Sequence, residues 1–147
     1  MKKMKRYKFN KKIIKVMKNP KEVPKSLRIL FLMHFIIDYL FAIPLLLFPI
    51  TFLKFLGWTT IDTLLARLIS AALIGIGGVS LLENKSSLES YNSLLTLKIL
   101  FSTTAIIGIV ISITEGNKIK FVWLLLTIFV LFSVLWIYYK IKISRNL

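Results

Sequence analysis

Cysteine is absent from this 147-residue sequence, and histidine occurs once, as His34. The lack of cysteine excludes disulfide bonds, thiol catalysis and thiolate metal sites. One histidine among six scattered acidic residues supplies neither a set of metal ligands nor an axial pair for haem. We therefore expect no metal and no other cofactor, and the absence of a nucleophile–base pair argues against an enzyme.

Acidic residues are scarce beside 21 basic ones, and the net charge of +15 raises the question of nucleic acid binding. Twelve of the 21 basic residues precede Ile29, however, and they lead directly into an apolar segment. No nucleic-acid-binding signature accompanies them. Anionic lipid head groups are the expected partner, at about 1 kcal/mol per basic residue near a membrane surface.

Long apolar runs dominate the rest of the chain, which is 56% hydrophobic with a mean hydropathy of +0.76. A soluble domain would show periodic apolar stripes, whereas these runs are nearly unbroken over about twenty residues, enough for a helix to cross a bilayer. The sequence predicts an all-α integral membrane protein with four transmembrane helices in one antiparallel bundle, within residues 29–141. The predicted spans are residues 29–48, 64–82, 94–113 and 121–139.

Basic segments flank this domain at both ends. In the arm, residues 1–28, apolar side chains recur at Phe9, Ile13 and Met17. This spacing leaves open a short amphipathic surface helix and a solvated tail. Residues 142–147 form a basic tail. Four spans place both termini on one side, and the positive charge predicts that this side is the cytoplasm.

Asp38 lies near the middle of the first span. An aspartate there costs about 2.5 to 3.5 kcal/mol, which the surrounding Leu, Ile, Phe and Val residues offset at about 0.3 to 0.6 kcal/mol each. Ionisable residues inside spans usually face a bundle interior, so Asp38 is a candidate site residue. His34 lies one turn earlier on the same face. Two interpretations of His34 stay open: a proton relay, and a neutral imidazole hydrogen-bonded to its neighbour, which a lone histidine favours.

Two basic residues also lie within the predicted spans. Arg67, near the outer end of the second span, either extends outward or turns inward to pair with Asp38. We slightly favour the pair, with the structural role of tethering two helices. Lys98 lies one turn into the predicted third span, and we expect its long stem to carry the amine back to the head groups.

Small and aromatic residues indicate packing faces and membrane interfaces. Small residues at helical spacing on the second and third spans predict two complementary faces that pack together. Residues 50–63 are predicted to contain a short interfacial helix. The predicted packing positions are Ala71, Gly75, Gly78, Thr104, Gly108 and Ser112. The predicted interface anchors are Trp58, Lys98, Trp123, Trp136, Tyr138 and Tyr139.

The order of these features resembles a known family. A first span ending in prolines is followed by the segment FLKFLGW, and then by Ala66, Arg67 and Leu68 ahead of a run of small residues. This order is similar to that of small four-helix DoxX-like proteins and related prokaryotic families. The resemblance implies a four-helix fold in a prokaryotic cytoplasmic membrane. Some DoxX-like proteins are membrane subunits of quinone-linked oxidoreductases, but no quinone- or haem-binding residues carry over to this chain.

Three functions follow as hypotheses. The first is a non-catalytic membrane subunit whose helices form a bundle and whose arm binds anionic lipid or a protein partner. The second is a small transporter or proton-coupled carrier, working as an oligomer, with a polar pathway lined by His34, Asp38 and Arg67. The third, with the least support, is a membrane subunit of a quinone-linked oxidoreductase.

Overall fold

The structure is a computed structural model that describes residues 22–145. These residues form five α-helices and contain no strand. Four of the helices are long and apolar enough to cross a membrane, which confirms the prediction of an all-α protein with four candidate spans. The two alternatives for the arm around residues 9–17 lie outside the described residues. The helices are α1 Lys25–Leu47, α2 Pro49–Phe55, α3 Thr63–Leu82, α4 Leu88–Thr114 and α5 Lys120–Ser144, with a 3₁₀ turn at Glu83–Lys85 between α3 and α4.

Proline and aspartate determine the helix ends in the first half of the chain. α1 runs through Pro44 and ends at Leu47. Pro49 then occupies the first turn of α2, where its missing N–H is not needed for an intrahelical bond. The Asp62 carboxylate caps α3 by accepting hydrogen bonds from the backbone N–H groups of Leu64 (2.9 Å) and Leu65 (3.0 Å). The short α2 therefore lies between two long helices, as the sequence predicted for this segment.

The long helices pack as two pairs, α1 along α3 and α4 along α5, and the pairs meet mainly through side chains. Gly77 allows the close approach of α1 and α3: a Cβ atom at Gly77 would lie only 2.8 Å from the Cβ of Asp38. At Gly78 a Cβ atom would lie 3.1 Å from the Tyr39 hydroxyl. These two glycines therefore place α3 directly against the middle of α1.

The predicted packing of one small-residue face on the other is wrong, because α3 and α4 belong to different pairs. Among residues 22–145, no atom of another element lies within 4 Å of a Cβ position at Gly75 or Gly108, so neither glycine is needed for a close contact between the described helices. Of the six predicted packing positions, Gly78 contacts α1 and Ser112 accepts a hydrogen bond from Asn117. The remaining positions face outward: Ala71, Gly75, Thr104 and Gly108.

The bundle is densely packed at what we call the terminal end, where α1 begins and α5 ends. The Phe31 ring lies 4.7 Å from the Tyr91 ring and 5.3 Å from the Trp136 ring, and all three side chains are fully buried. Trp136 was predicted to anchor at the membrane interface, and this is wrong, because it faces α1 within the core. This core consists of Val23, Leu27, Phe31, Leu88, Tyr91, Leu95, Trp136 and Ile143.

Polar contacts strengthen the terminal end between neighbouring helices. Arg28 Nη1 donates to the Asn84 carbonyl oxygen (2.9 Å), which also accepts from the Tyr91 hydroxyl (3.3 Å). Lys140 Nζ donates to the Asn92 carbonyl oxygen (2.8 Å). These bonds connect α1 to the α3–α4 turn and α4 to α5.

Candidate ligand-binding cavity

His34, Asp38 and Lys98 form one buried cluster, which we call the polar cluster. The exposed fractions of these residues are 9%, 6% and 3%. His34 Nδ1 lies 2.7 Å from Asp38 Oδ2 and 3.3 Å from Lys98 Nζ. Because His34 and Asp38 are on α1 and Lys98 is on α4, the polar cluster joins the two helix pairs.

The Nδ1 atom of His34 is shared between an acid and a base. A ring nitrogen either carries a proton and donates, or presents its lone pair and accepts, so only one of the two contacts is a hydrogen bond at a time. Within residues 22–145, the 2.7 Å ion-pair contact with His34 Nδ1 is the one polar contact of the buried Asp38 Oδ2 atom, and its hydrogen-bond alignment is poor. A carboxylate has about four lone-pair sites, so this contact leaves most of the accepting capacity of the Asp38 carboxylate unused.

Aromatic rings surround the polar cluster on the side of the terminal end. The His34 ring meets Phe132 (4.8 Å) and Trp136 (5.3 Å) edge to face. Lys98 Nζ lies 5.0 Å from the centre of the Phe31 ring and 5.1 Å from that of Trp136, within the range of cation–π attraction. The rings therefore hold the Lys98 amine inside the bundle.

The structure corrects the prediction that Lys98 extends to the head groups. α4 begins at Leu88, six residues before the predicted start of the span, so Lys98 lies about 15 Å along the helix. A lysine side chain does not reach over that distance. Ser87, whose hydroxyl accepts a hydrogen bond from the Ser90 N–H, is the N-cap that could have revealed this start from the sequence.

The predicted pair between Asp38 and Arg67 does not form. Asp38 lies against Gly77, which is about 15 Å further along α3 than Arg67, too far for the guanidinium to reach. Arg67 Nε instead donates to the carbonyl oxygen of Leu46 (3.4 Å), one of the carbonyls in the last turn of α1 that lack an intrahelical partner. Arg67 thus belongs to neither the polar cluster nor the cavity described next.

A cavity of about 440 Å³ lies between the two helix pairs, beyond the polar cluster as seen from the terminal end. Its walls are almost entirely apolar and aromatic. Lys98, Phe101 and Ser102 are the α4 residues that line it, and they do so next to the polar cluster. The other walls come from α1, α2, α3, α5 and the Trp58–Asp62 segment. Its apolar lining includes Phe41, Leu45, Phe52, Leu56, Leu65, Ile69, Leu73, Ile76, Phe121, Leu125, Ile128, Phe129 and Phe132.

The cavity is long for its volume. Along α3 and its N-cap the lining runs from Asp62 to Ile76, and on α5 from Phe121 to Trp136, which corresponds to about 21 to 23 Å of helix in each case. A sphere of the same volume would be only about 9 Å across, and the volume lies in the lower half of the range of about 300 to 1,000 Å³ that small-molecule pockets occupy. The shape therefore fits a narrow, extended molecule with a mostly apolar body.

The remaining aromatic anchors occupy different environments. Trp58 lines the far end of the cavity and is half-buried. Trp123 and Tyr138 are more than half exposed, and Tyr139 packs at the edge of the terminal core. Within residues 22–145, no group of three His, Cys, Asp or Glu side chains is placed to hold a metal ion.

No family model, curated protein or solved structure matches the chain, so comparisons with known proteins assign it neither a family nor a function.

Proposed function

We propose that this protein is a non-catalytic, multi-pass membrane protein that binds a long, narrow, mostly apolar molecule between its two helix pairs. The observation that carries the proposal is the 440 Å³ cavity, apolar along its length and ending on the buried polar cluster. Small-molecule sites commonly combine an apolar lining with a few convergent polar groups.

The polar cluster is what makes binding selective. A molecule dissolved in lipid hydrocarbon gains little by moving its apolar body into an apolar cavity, because the two environments are alike. A polar end gains more, since the bilayer core offers it no partner, whereas His34, Asp38 and Lys98 do. We therefore place the polar end of the ligand at the cluster and its apolar end near Trp58.

A proton-coupled carrier is the second candidate, and the shared Nδ1 atom favours it. Asp38 and Lys98 both contact this nitrogen. A proton can therefore lie either between His34 and Asp38 or between His34 and Lys98. The terminal core closes the bundle on one side of the polar cluster, as in one state of an alternating carrier. In this proposal the polar pathway is lined by His34, Asp38 and Lys98, whereas the hypothesis from the sequence named Arg67 as its third residue.

The setting of the protein is also part of the proposal. The basic residues of the arm and of residues 140–145 support a prokaryotic cytoplasmic membrane with both termini inside. The relationship to DoxX-like proteins, the binding of anionic lipid by the arm, a membrane partner or oligomer, and a role in a quinone-linked oxidoreductase stay predictions from the sequence.

Binding is tested by tryptophan quenching in lipid nanodiscs. The probe is 12-bromododecan-1-ol, whose bromine quenches nearby indoles, and Trp123→Phe provides a background without the lipid-exposed tryptophan. We expect quenching that saturates with the mole fraction of probe and that dodecan-1-ol reverses. Removing Trp58 as well, by Trp58→Phe, should abolish most of this signal, because the bromine lies at the Trp58 end.

A filled cavity supplies the matched control. The double variant Leu73→Phe with Ile128→Phe places two larger rings in the cavity walls, whereas Leu68→Phe with Leu131→Phe adds the same rings on outward-facing surfaces. We expect the first pair to weaken binding at least about tenfold and the second to leave it unchanged. Quenching that never saturates, or that is equal in both variants, would overturn the proposed function.

A further inference from the structure

The polar cluster has specific hydrogen-bonding capacity left over on the side that faces the cavity. The Asp38 carboxylate offers about four lone-pair sites, and within residues 22–145 its one polar side-chain contact is the one that Oδ2 makes with His34 Nδ1. Lys98 Nζ carries three N–H groups when protonated, and among the same residues its one hydrogen-bond contact is with His34 Nδ1. Both residues line the cavity, so a ligand end placed there meets a donor and an acceptor together.

The donor and the acceptor are also close to each other. Asp38 Oδ2 and Lys98 Nζ lie 2.7 Å and 3.3 Å from the same ring nitrogen of His34. The Phe31 and Trp136 rings lie 5.0 and 5.1 Å from the amine and help to hold it in place. One ligand atom that both donates and accepts can therefore satisfy both groups from within the cavity.

We infer that the ligand bound by this protein is an amphiphile with a neutral hydroxyl head group, which donates its O–H to the Asp38 carboxylate and accepts an N–H from Lys98. This inference rests on the proposed function and names its ligand class. The juxtaposition that carries it is a buried acid and a buried base that both line the closed end of an apolar cavity.

Other common head groups fit less well. A carboxylate accepts from Lys98 but places a second negative charge beside Asp38. A trimethylammonium group neither donates nor accepts a hydrogen bond, and it brings a second cation to Lys98. Because one acid and one base already balance inside the bundle, a neutral head group adds no unpaired charge to a medium in which charges are costly.

The test is a competition between head groups on one chain length. Dodecan-1-ol, dodecanoate and dodecyltrimethylammonium each displace 12-bromododecan-1-ol from the Trp123→Phe protein in nanodiscs, with concentrations expressed as mole fractions of membrane lipid. We expect the alcohol to displace the probe at a mole fraction at least about tenfold lower than either charged competitor. Equal displacement by all three, or tighter binding of dodecanoate, would overturn the inference while leaving the proposed function in place.

Variants link this preference to the polar cluster. Asp38→Asn with Lys98→Met removes the acid and the base together, so it leaves no unpaired charge and guards against misfolding of the single variants. We expect it to reduce the preference for the alcohol to less than about threefold. Ser80→Ala is the control, because the buried Ser80 hydroxyl donates to its own helix at Ile76 and Ser80 lies outside the cavity lining.

The possible outcomes separate the two proposals. A preference that survives in the double variant shows that the polar cluster does not select the head group, and it overturns the inference. Absence of saturable quenching in the unmodified cavity contradicts the proposed function itself. Loss of the preference in the double variant together with its retention in Ser80→Ala supports both.

Discussion

The terminal end and the cavity end of this bundle are built from the same long helices, yet one is solid and the other hollow. At the terminal end, Phe31, Tyr91 and Trp136 from three helices fill the space between the pairs. At the cavity end, the facing side chains leave about 440 Å³ between them. Apolar composition is similar in both regions, so composition alone does not decide whether helices close on each other.

Side-chain placement explains the difference. The helix pairs meet mainly through side chains, so the gap closes where large rings from opposite pairs interlock. Towards the cavity end, the lining from α4 stops at Ser102, while α1, α3 and α5 continue the walls. The polar cluster lies at the boundary, where the solid region fixes its geometry and the cavity gives it access to a ligand.

The largest expected loss of stability comes from removing one of the buried charged groups at this boundary. Lys98→Met removes the buried amine that contacts His34, and with it the positive charge that balances the buried Asp38 carboxylate, so we expect a loss of about 3 to 5 kcal/mol in the free energy of unfolding. Asp38→Asn combined with Lys98→Met should lose clearly less than the sum of the two single variants. Reversible unfolding in mixed micelles measures all three, and strictly additive losses would show that the two residues do not interact.

A smaller effect separates the solid region from the hollow one directly. Phe31→Ala removes a fully buried ring from the terminal core and should cost about 2 to 4 kcal/mol, because the surrounding rings cannot collapse into the space. Phe129→Ala removes an equal ring from a cavity wall, where part of its surface has no packing partner, and should cost less than about 1 kcal/mol. Thermal unfolding in detergent compares them, and equal losses would contradict the distinction between the two ends.

The smallest effect concerns the helix contact behind Asp38. Gly77→Ala places a methyl group 2.8 Å from the Asp38 Cβ, so α1 and α3 must move apart at a cost of about 1 to 3 kcal/mol. Gly75→Ala is the matched control, since in the described part of the chain no atom of another element lies within 4 Å of a Cβ at this position, and alanine favours a helix over glycine by up to about 1 kcal/mol. Unfolding measurements on both variants should therefore give opposite signs, and a neutral Gly77→Ala would mean that the contact is loose.

Some features of the site could be predicted from the sequence because they depend on local spacing. His34 and Asp38 share a face since they are one turn apart, and a carboxyl group in an apolar run was expected to face the interior, as it does. The Asp62 cap and the short α2 were also accessible from turn and capping signals. The cavity could not be predicted from the sequence, because it depends on which helices pair.

The incorrect predictions have different causes, and the first is the register between helices. The pair of Asp38 with Arg67 fails because Asp38 lies level with Gly77, and no pattern within either helix specifies that level. Lys98 was placed too near a helix end because the predicted start of the third span was six residues late. Trp136 resembles an interface residue in sequence, since lipid and protein core are equally apolar neighbours for a ring.

By itself, the sequence determined that this chain has four membrane-length apolar helices and that an acid and a histidine share one face of the first. Hydrophobic length and helical spacing suffice for that, because both are properties of a single segment. Only the tertiary structure decided that Lys98 joins this acid and histidine, that Arg67 does not, and that a cavity extends from them. Those outcomes depend on how side chains from different helices fit together, which is a property of the assembled bundle.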